Sequence, residues 1–458
     1  MQLNLMAITA ALIANWVVPA SAQSRTEPAV LFQNVRIFDG RGTSLSAPTN
    51  VLVRGNKIER ISSSPIEVDH TAGATVVSGD NRTLMPGLID NHAHLTFWTL
   101  PFTLMTTADP NYLQVRQAAT AKELLMAGYT SARDAGGPVF GIKRAIDEGL
   151  FPGPRIWPSG PMISQTSGHS DFRTLADLPS AAAPAAIPSV RHGFTAVADG
   201  VPEVHKLVRE NLMRGASQIK LAVGGGVSSN YDPIDVTEYT KAEIEAAVAD
   251  AENWGTYVTV HAYTPRAVRL AIDAGVKCIE HGQLLDEPTI KLMAERGVWL
   301  SIQPFLLDED AIPTTPGSDN ERKYKQVAEG TERAYVLAKK YGTKTAFGTD
   351  IQLNPKGTVR QAHYLPKLVK WFTPAEVLKM ATADNAELLA LSGPRNPYPG
   401  KLGMIEEGAL ADLLLVDGDP LANIKLLENP GKNLLVIMKD GKIYKNTLVP
   451  TMALGGDR

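Results

Sequence analysis

The chain has 458 residues, of which 44% are hydrophobic and 20% charged, the balance of a globular protein with a sizeable core. Its net charge of −3 provides no basic surface, so nucleic acid is not an expected partner. The single cysteine, Cys278, excludes an internal disulfide and any metal site built from several cysteines. A bound metal ion would therefore need histidine and carboxylate ligands.

The first residues have the pattern of an export signal. Residues 6–18 are mostly apolar but too short to span a bilayer comfortably, and Ala20-Ser21-Ala22 has the small residues of a cleavage site. We expect residues 1–22 to be a signal peptide and the mature protein to be periplasmic or secreted, with no membrane segment. An uncleaved apolar helix is the alternative, because neither Lys nor Arg precedes the apolar run.

Short strands separated by turns are predicted near both ends of the chain. They cover 30–38, 50–61 as a pair around Gly55-Asn56, 75–77, 411–416, 433–438 and 442–444. The stretches 23–84 and 403–458 are therefore predicted to form one small β-sandwich domain together.

The middle of the chain alternates strands with amphipathic helices, which is typical of an α/β fold. The predicted strands are 88–90, 129–133, 155–157, 218–222, 257–261, 277–280, 298–302 and 343–347. The clearest helices are 202–214, 240–253, 265–274, 287–295 and 320–340. Eight such units predict a (β/α)8 TIM-like barrel over 85–402. An open doubly wound sheet is the alternative, although no GxGxxG motif follows the first strand.

One long connection, residues 160–200, is rich in Ala, Pro and Ser. A connection of this length without a clear periodic pattern is typical of a functional loop. We expect it to form a loop or lid over the mouth of the barrel.

Six side chains suited to metal binding fall at the carboxyl ends of predicted strands, where barrel enzymes carry their catalytic groups. They are His92, His94, Lys220, His261, His281 and Asp350. Residues two apart on a strand point the same way, so His92 and His94 can face one metal ion. The alternative is structural: core histidines bonded to carbonyl groups, and Lys220 buried in a salt bridge, for instance with Asp350.

These residues and their neighbours resemble the amidohydrolase superfamily over almost the whole mature chain. The matching motifs are Pro86 to His94, Gln218-Ile219-Lys220, Val258 to Ala262, Ile279 to Gly282, Gly348-Thr349-Asp350 and, near the C-terminus, Gly403, Ile405, Gly408, Ala411 and Asp412. The resemblance implies two divalent metal ions held by the six residues above, with Lys220 carboxylated to a bridging carbamate. Zinc is favoured by the imidazole and oxygen ligands. The implied nucleophile is a metal-activated hydroxide, with Asp350 as base and then acid.

Within the superfamily the chain resembles the Xaa-Pro dipeptidase and metallocarboxypeptidase group, which includes ochratoxin-hydrolysing amidases. The segments that carry this likeness are 161–171, 198–200, 222–227 and 261–263. The resemblance implies cleavage of an amide or peptide bond next to a C-terminal residue with a free carboxylate. Dipeptides, N-acyl amino acids and ochratoxin-like amides are the expected small-molecule substrates.

Such a substrate needs hydrogen-bond donors for its carboxylate and for the oxyanion that forms during hydrolysis. The candidates are the hydroxyl of Tyr263, the ring of His169, and the backbone amides of Gly224, Gly225 and Gly226, with Arg191 and His192 as further cations. Each has a structural alternative: a packed rim tyrosine, an exposed loop histidine and a tight glycine turn. The stretch 97–110, rich in Leu and Thr, is predicted to form an apolar wall for bulky or aromatic acyl groups.

Other functions fit parts of this pattern. A cyclic amide or lactone hydrolase on the same metal site would not need a free substrate carboxylate. A binding protein without catalysis and a purely structural barrel are further alternatives, but the complete set of candidate ligands argues against both. The sequence does not reveal the oligomeric state, although large barrels of this kind often associate and a homo-oligomer is therefore one alternative.

Overall fold

The computed structural model describes residues 29–69, 73–97, 100–178, 187–194, 196–354 and 360–448. The predicted signal peptide, residues 1–22, lies outside these ranges, so cleavage and export stay predictions. Among the described residues, no helix has the length and apolar character needed to cross a membrane.

The strands of the described chain are numbered in chain order. They are β1 (Ala29–Ile37), β2 (Thr49–Arg54), β3 (Lys57–Ser62), β4 (Thr75–Ser78), β5 (Thr83–Pro86), β6 (Leu88–Ala93), β7 (Tyr129–Asp134), β8 (Arg155–Pro158), β9 (Ile163–Ser164), β10 (Ala196–Val197), β11 (Ile219–Ala222), β12 (Val258–Ala262), β13 (Cys278–His281), β14 (Trp299–Ile302), β15 (Thr345–Phe347), β16 (Leu413–Val416), β17 (Leu434–Lys439) and β18 (Lys442–Asn446).

The α-helices of the barrel region lie between these strands. They are Phe102–Thr107, Pro110–Met126, Phe140–Asp147, Pro188–Arg191, Val201–Met213, Lys241–Asn253, Pro265–Asp273, Glu287–Arg296, Asp319–Tyr341, Tyr364–Lys367, Pro374–Lys379 and Asn385–Ala390. A π-helical turn, Met380–Asp384, joins the last two. One more short helix, Pro430–Asn433, precedes β17.

The terminal strands form one mixed sheet in the order β18-β17-β16-β5-β1-β2-β3, with β4 on β1. The two chain ends meet where β5 pairs antiparallel with β16, with Met85 opposite Leu414. Apolar side chains from both ends share one buried cluster that includes Phe32 and Met438. The sheet predicted from both termini is therefore present, while the exact domain limits stay predictions.

The eight predicted barrel strands are all present as β6, β7, β8 and β11 to β15. They form two parallel arcs, β6-β7-β8 and β11-β12-β13-β14-β15, and the second arc is extended by β9 and β10. Parallel strands buried on both faces need apolar residues throughout, and the residues of β6, β7, β8 and β11 to β14 are all buried. The α/β barrel with an added β domain is thus confirmed.

At the first junction between the two arcs, which lies between β8 and β11, a side chain donates hydrogen bonds to the backbone of the other arc. Gln218 Nε2 donates to the carbonyl oxygens of Trp157 at 3.0 Å and Asp134 at 3.3 Å. The Ser217 N–H donates to the carbonyl oxygen of Pro158 at 2.8 Å. A buried amide at this position satisfies backbone acceptors that no neighbouring strand reaches.

Asn385 closes the second junction, between β15 and β6. Its Nδ2 donates to the carbonyl oxygens of Ile89 at 2.7 Å and Phe347 at 2.8 Å, and its Oδ1 accepts from the Phe347 N–H. One backbone hydrogen bond, from the Asp350 N–H to the His92 carbonyl oxygen at 2.8 Å, crosses the same junction. The strands next to two of the candidate ligands are therefore joined in part by one carboxamide, together with the two hydrogen bonds that Thr349 donates to the carboxylate of Asp90.

Candidate metal centre and substrate cavity

The six predicted ligands converge on one cavity at the carboxyl end of the barrel. All six side chains are buried, and all six line one cavity. They come from β6, the residue just after it, β11, β12, β13 and the turn after β15, at the carboxyl ends of the barrel strands. The structure therefore brings the whole predicted set together, while metal binding by each residue stays a prediction.

His92, His94 and Asp350 form the tightest part of the cluster. The Nε2 atoms of His92 and His94 lie 3.3 Å apart. Asp350 Oδ1 lies 3.4 Å from His92 Nε2 and 3.2 Å from His94 Nε2. Donor atoms of His92, His281 and Asp350 all lie within 4.8 Å of one another, a spacing that one metal ion can bridge.

His261 and His281 complete the ring of imidazoles. Their ring centroids are 4.4 Å apart, and the His281 centroid is 4.9 Å from that of His92. His261 Nε2 lies 3.2 Å from the carbonyl oxygen of Gly225. Four histidine rings with one carboxylate are an N and O ligand set that suits zinc better than calcium or magnesium.

Lys220 lies among these groups with its side chain buried. In the described part of the chain it forms no ion pair, so the alternative of a salt bridge with Asp350 is not seen. Burial lowers the pKa of its ammonium, because the charged form is costly in a dry interior. A buried amine without a counterion fits the carbamate that the sequence predicted, although carboxylation itself stays a prediction.

The electrostatics of the cluster favour ligand-competent protonation states. Burial and the charge of Lys220 lower the pKa of His92 to about 4, and burial holds those of His261 and His281 well below their usual range. Burial opposes ionisation of Asp350, but the surrounding histidines outweigh it and lower the pKa of this carboxyl. The neutral imidazoles of His92, His261 and His281 and the carboxylate of Asp350 are the forms that bind metal, whereas Asp350 outweighs burial and raises the pKa of His94.

Two of the candidate ligands have a backbone conformation that residues other than glycine rarely adopt. The φ angle is 81° at His281 and 49° at Asp350. Such left-handed residues at strand ends persist only where the surrounding structure enforces them, and they concentrate at functional sites. The left-handed conformation is therefore a second indication, independent of the cavity, that His281 and Asp350 are functional residues.

Sequence reasoning did not identify the buried network behind the histidines. Glu280 Oε2 accepts from His92 Nδ1 at 2.8 Å, while its other oxygen is paired with Arg133. Gln303 lies between two candidate ligands, with Oε1 2.7 Å from His281 Nδ1 and Nε2 3.2 Å from His92 Nδ1. These contacts fix the ring orientations, as partners of metal-binding histidines usually do. The only sequence signal was that Glu280 and Gln303 lie at carboxyl ends of strands.

The apolar side of the cavity is aromatic. Phe97, Phe172 and Phe194 line it, with ring centroids 6.3 Å apart for Phe97 and Phe172 and 5.3 Å apart for Phe97 and Phe194. Of the predicted wall at 97–110, Phe97 lines the cavity and Leu100 packs behind it. Phe172 and Phe194 belong to the connection 160–200, where the sequence predicted a cover over the barrel mouth but no aromatic contact.

Of the predicted substrate contacts outside the glycine run, His169 is among the described residues that line the cavity, and the others are not. His169 lines the cavity, stacked on His261 with ring centroids 3.9 Å apart. Tyr263 packs its ring edge-on against His261 and near His281, in an apolar cluster that includes Phe305. Arg191 is exposed and His192 half-buried, and neither is among the described cavity-lining residues.

Two glycines of the predicted anion-binding run are closely packed, while a substrate contact by Gly225 stays a prediction. The Gly226 N–H donates to Asp232 Oδ2 at 2.6 Å, so this amide is not available to a substrate carboxylate. A Cβ on Gly226 would lie 2.0 Å from His169 Nδ1, and one on Gly225 would lie 1.9 Å from the Pro233 carbonyl oxygen. These glycines are needed for close packing, which a one-dimensional motif cannot distinguish from anion binding.

Comparison with known proteins agrees with this geometry. The profile of the amidohydrolase family matches residues 83–444. Ochratoxinase from Aspergillus niger is 32% identical over 372 residues, which span 79% of this chain and 75% of that protein. A prolidase structure complexed with N-methylphosphonate-L-proline has a TM-score of 0.83 at 32% identity, covering 91% of this chain and 100% of the other. A Xaa-Pro dipeptidase structure with methionine bound in its active site has a TM-score of 0.78 at 27% identity, covering 91% and 100%.

Proposed function

The chain belongs to the amidohydrolase family and is a hydrolase of amide or peptide C–N bonds, and we propose that it releases C-terminal residues with a free carboxylate. Its substrates would be dipeptides, N-acyl amino acids or ochratoxin-like amides. The observation that carries the proposal is the single cavity in which four histidines, Lys220 and Asp350 face an aromatic wall. That arrangement places hydrolytic groups beside an apolar wall.

The donor set fits the divalent metal ions that the family generally uses. His92, His94, His261, His281 and Asp350 would hold two ions, with a carboxylated Lys220 between them. Bound there, zinc would supply a Lewis acid and lower the pKa of water towards neutrality. The lack of an ion pair between Lys220 and any described residue supports this assignment, since a carbamate would turn a costly buried cation into an anionic ligand.

Asp350 is the residue placed to move the proton. Its carboxylate is ionised and within 3.4 Å of two imidazole nitrogens, at the inner end of the cavity. It would accept a proton from the attacking water and then give it to the nitrogen of the leaving amino acid. A base that becomes the acid in the same turnover leaves the enzyme ready for the next substrate.

The two ends of the substrate would meet different surfaces. His169 offers a ring nitrogen to the substrate carboxylate or to the oxyanion. Phe97, Phe172 and Phe194 would contact an apolar group and exclude water from the reacting bond. Tyr263 would act through its packing on His261 and His281, with its hydroxyl as a further donor to the carboxylate.

The test is a panel of dipeptides and N-acyl amino acids incubated with the zinc-loaded protein. Each substrate ends in Pro, Phe, Lys or Arg and is paired with its C-terminal amide, and the released residue is quantified by chromatography. Release from the free acids but not from the amides is the expected result. Equal release from both would remove the carboxylate requirement. No release from a protein that contains two metal ions would favour a cyclic amide or lactone hydrolase.

Export remains part of the proposal. Expression of residues 1–458 with mass analysis of the purified protein would show whether the chain begins at Gln23, as cleavage after Ala22 predicts. A chain that keeps residues 1–22 in an exporting host would contradict the signal-peptide prediction. Light scattering on the same sample would show whether the protein is a homo-oligomer.

A further inference from the structure

His169 is held against the candidate metal centre by a buried polar network. Its Nδ1 lies 2.6 Å from Ser229 Oγ, and the Ser229 hydroxyl donates to Asp232 Oδ2 at 2.6 Å. All three residues are at most 6% exposed. None of the features that predicted the metal ligands pointed to Ser229 or Asp232, which lie in the connection after β11.

The order of donors in this network fixes which ring nitrogen carries hydrogen. Asp232 is held ionised, since its hydrogen bonds and the nearby ammonium of Lys323 outweigh burial and lower the pKa of its carboxyl. An ionised carboxylate only accepts, so the single hydrogen of Ser229 points to Asp232. Nδ1 of His169 must then be the donor to Ser229 Oγ. The ring nitrogen left for a ligand in the cavity is Nε2.

The segment that carries Ser229 and Asp232 is itself fixed by a neighbouring helix. Lys323, in the helix Asp319–Tyr341, donates from Nζ to the carbonyl oxygens of Gly226 at 3.0 Å, Ser229 at 3.1 Å and Asp232 at 2.6 Å. Asn320, one turn earlier, donates to the Ser229 carbonyl oxygen at 3.3 Å. Because these hydrogen bonds already fix the segment, it loses little conformational entropy when Ser229 holds the His169 ring.

The backbone of His169 is fixed from the opposite side. The His169 N–H donates to Glu238 Oε1 at 2.8 Å, and this carboxyl group is fully buried. The close approach of Gly226 to the imidazole leaves no room for the ring to move towards that segment. The ring is therefore constrained by hydrogen bonds at both its backbone and its Nδ1, and by the stacked His261 on one face.

We propose that Ser229 and Asp232 are positioning residues, which keep Nδ1 of His169 as a hydrogen-bond donor to Ser229 and direct Nε2 into the cavity, where the protonated ring would donate an N–H to the substrate carboxylate or oxyanion. This inference rests on the proposed function, because it assigns His169 a substrate to contact. Ser229 and Asp232 touch neither the substrate nor the candidate ligands directly. Their effect on turnover therefore passes through one imidazole.

The test is a double-mutant cycle on an N-acyl amino acid substrate that the wild type hydrolyses. Ser229→Ala is expected to lower kcat/KM by about 10-fold or more, the usual effect of removing a partner that orients a ligand-contacting histidine. Ser229→Thr keeps the hydroxyl and restores most of the loss. In a His169→Ala background, Ser229→Ala has no further effect, because the residue through which it acts is gone.

Two controls separate positioning from general stability. Asp235→Asn changes an exposed carboxylate in the same segment and is expected to leave kcat/KM unchanged, whereas Asp232→Asn lowers it as Ser229→Ala does. Thermal unfolding and metal content of every variant are measured alongside. If Ser229→Ala costs the same activity with and without His169, the network is only structural and the inference fails. If the wild type hydrolyses no free-acid substrate, the proposed function itself fails.

A spectroscopic measurement tests the tautomer without any substrate. Long-range proton–nitrogen correlation spectra of the zinc-loaded protein, with His169 assigned from His169→Ala, report which ring nitrogen carries hydrogen. The expected result is a hydrogen on Nδ1 in the wild type and a change in Ser229→Ala. A wild-type ring with hydrogen on Nε2 but none on Nδ1 would overturn the inference even if the activities agreed with it.

Discussion

The two ends of the barrel both contain buried charges, but the charges are arranged differently. At the amino end, Arg155 at the start of β8 donates from Nε and Nη2 to the two oxygens of Asp412, at 2.8 and 3.2 Å, and also to Asp440. Asp412 and Asp440 belong to the terminal sheet, so this group joins the two parts of the molecule. At the carboxyl end, the charges surround a cavity instead.

The difference lies in what the charges are paired with. The guanidinium of Arg155 has carboxylate partners in the chain itself, which is how a buried charge serves architecture. At the other end, Lys220 has no carboxylate partner among the described residues, and Asp350 is surrounded by imidazoles, of which His92, with its low pKa, stays neutral. Buried ionisable groups that lie close together without forming ion pairs indicate a binding site. Substitutions at either end of the barrel test this contrast.

The largest expected effect is at Asp350. Asp350→Asn should lower kcat by about 10³-fold, because the amide cannot accept or return a proton. The fold should be retained, since Asn tolerates the left-handed φ of 49° at this position better than most residues. Steady-state kinetics with metal analysis by mass spectrometry checks both statements. An unchanged kcat would remove Asp350 from the mechanism.

The next effect is at Lys220. Lys220→Met keeps an unbranched side chain in the buried space but cannot be carboxylated, so we expect fewer than two metal ions per chain and about 10²-fold lower activity. Bicarbonate should speed reactivation of the chelated wild type with zinc, and should not affect the variant. Lys439→Met is the matched control, because Lys439 is also buried but lies near Arg155 at the opposite end. Full metal content in Lys220→Met would contradict the carbamate.

At the amino end the expected effect is on stability rather than on turnover. Arg155→Met leaves Asp412 buried without its counterion, which should lower the free energy of unfolding by about 3 kcal/mol. Because the site lies at the far end of the barrel, kcat measured well below the unfolding temperature should stay near that of the wild type. Denaturant unfolding and kinetics on one sample give both values. A loss of activity without a loss of stability would show that the two ends are coupled.

The smallest effect is a pH dependence of the metal-free protein. The pKa of His92 is lowered from its ordinary 6.5 to about 4, by burial and then by the charge of Lys220. Below pH 6.5 the unfolded chain binds a proton at His92 that the folded chain does not bind, so the contribution of His92 to stability falls as the pH drops from 6.5 to 4. This contribution is at most about 3 kcal/mol, and the raised pKa values of His94, Asp90 and Asp134 oppose it in the same window.

Unfolding of the chelated protein in denaturant at several pH values measures this slope. Zinc-loaded protein should resist acid to a lower pH, since bound metal competes with protons for the same nitrogens. The matched comparison is His92→Phe, which removes the titrating ring, and an unchanged slope in this variant would contradict the lowered pKa of His92.

The barrel was predictable from sequence because its strands and helices follow simple periodic patterns. The helix predicted at 240–253 is Lys241–Asn253, with Thr240 as its N-terminal cap and Glu243 completing the capping box. The strands predicted at 298–302 and 218–222 are present as Trp299–Ile302 and Ile219–Ala222. The six candidate ligands followed from strand ends alone, since parallel strands bring their carboxyl ends to one face.

The residues that the sequence did not reveal act through tertiary contacts that have no period. In the sequence, Arg133 cannot be distinguished from any other polar residue of a strand. In the structure it is completely buried and forms an ion pair with Glu280. Ser229 and Asp232 lie in a connection whose path no pattern describes. The glycine run was interpreted as an anion-binding turn, because a sequence shows that a side chain is missing but not what occupies its place. These roles depend on which segments, far apart in the sequence, lie close together in the folded chain.

The late position of Asn385 in the sequence has a consequence for how the chain folds while it is being synthesised. The ribosome releases β6 with its histidines early, and the turn with Asp350 only after the other barrel strands. The helix that begins at Asn385 leaves the ribosome later still, so its hydrogen bonds to β6 and β15 can form only after both strands have been synthesised. The contact between the strands next to His92 and Asp350 is therefore completed late in synthesis, by a residue that lies outside both strands.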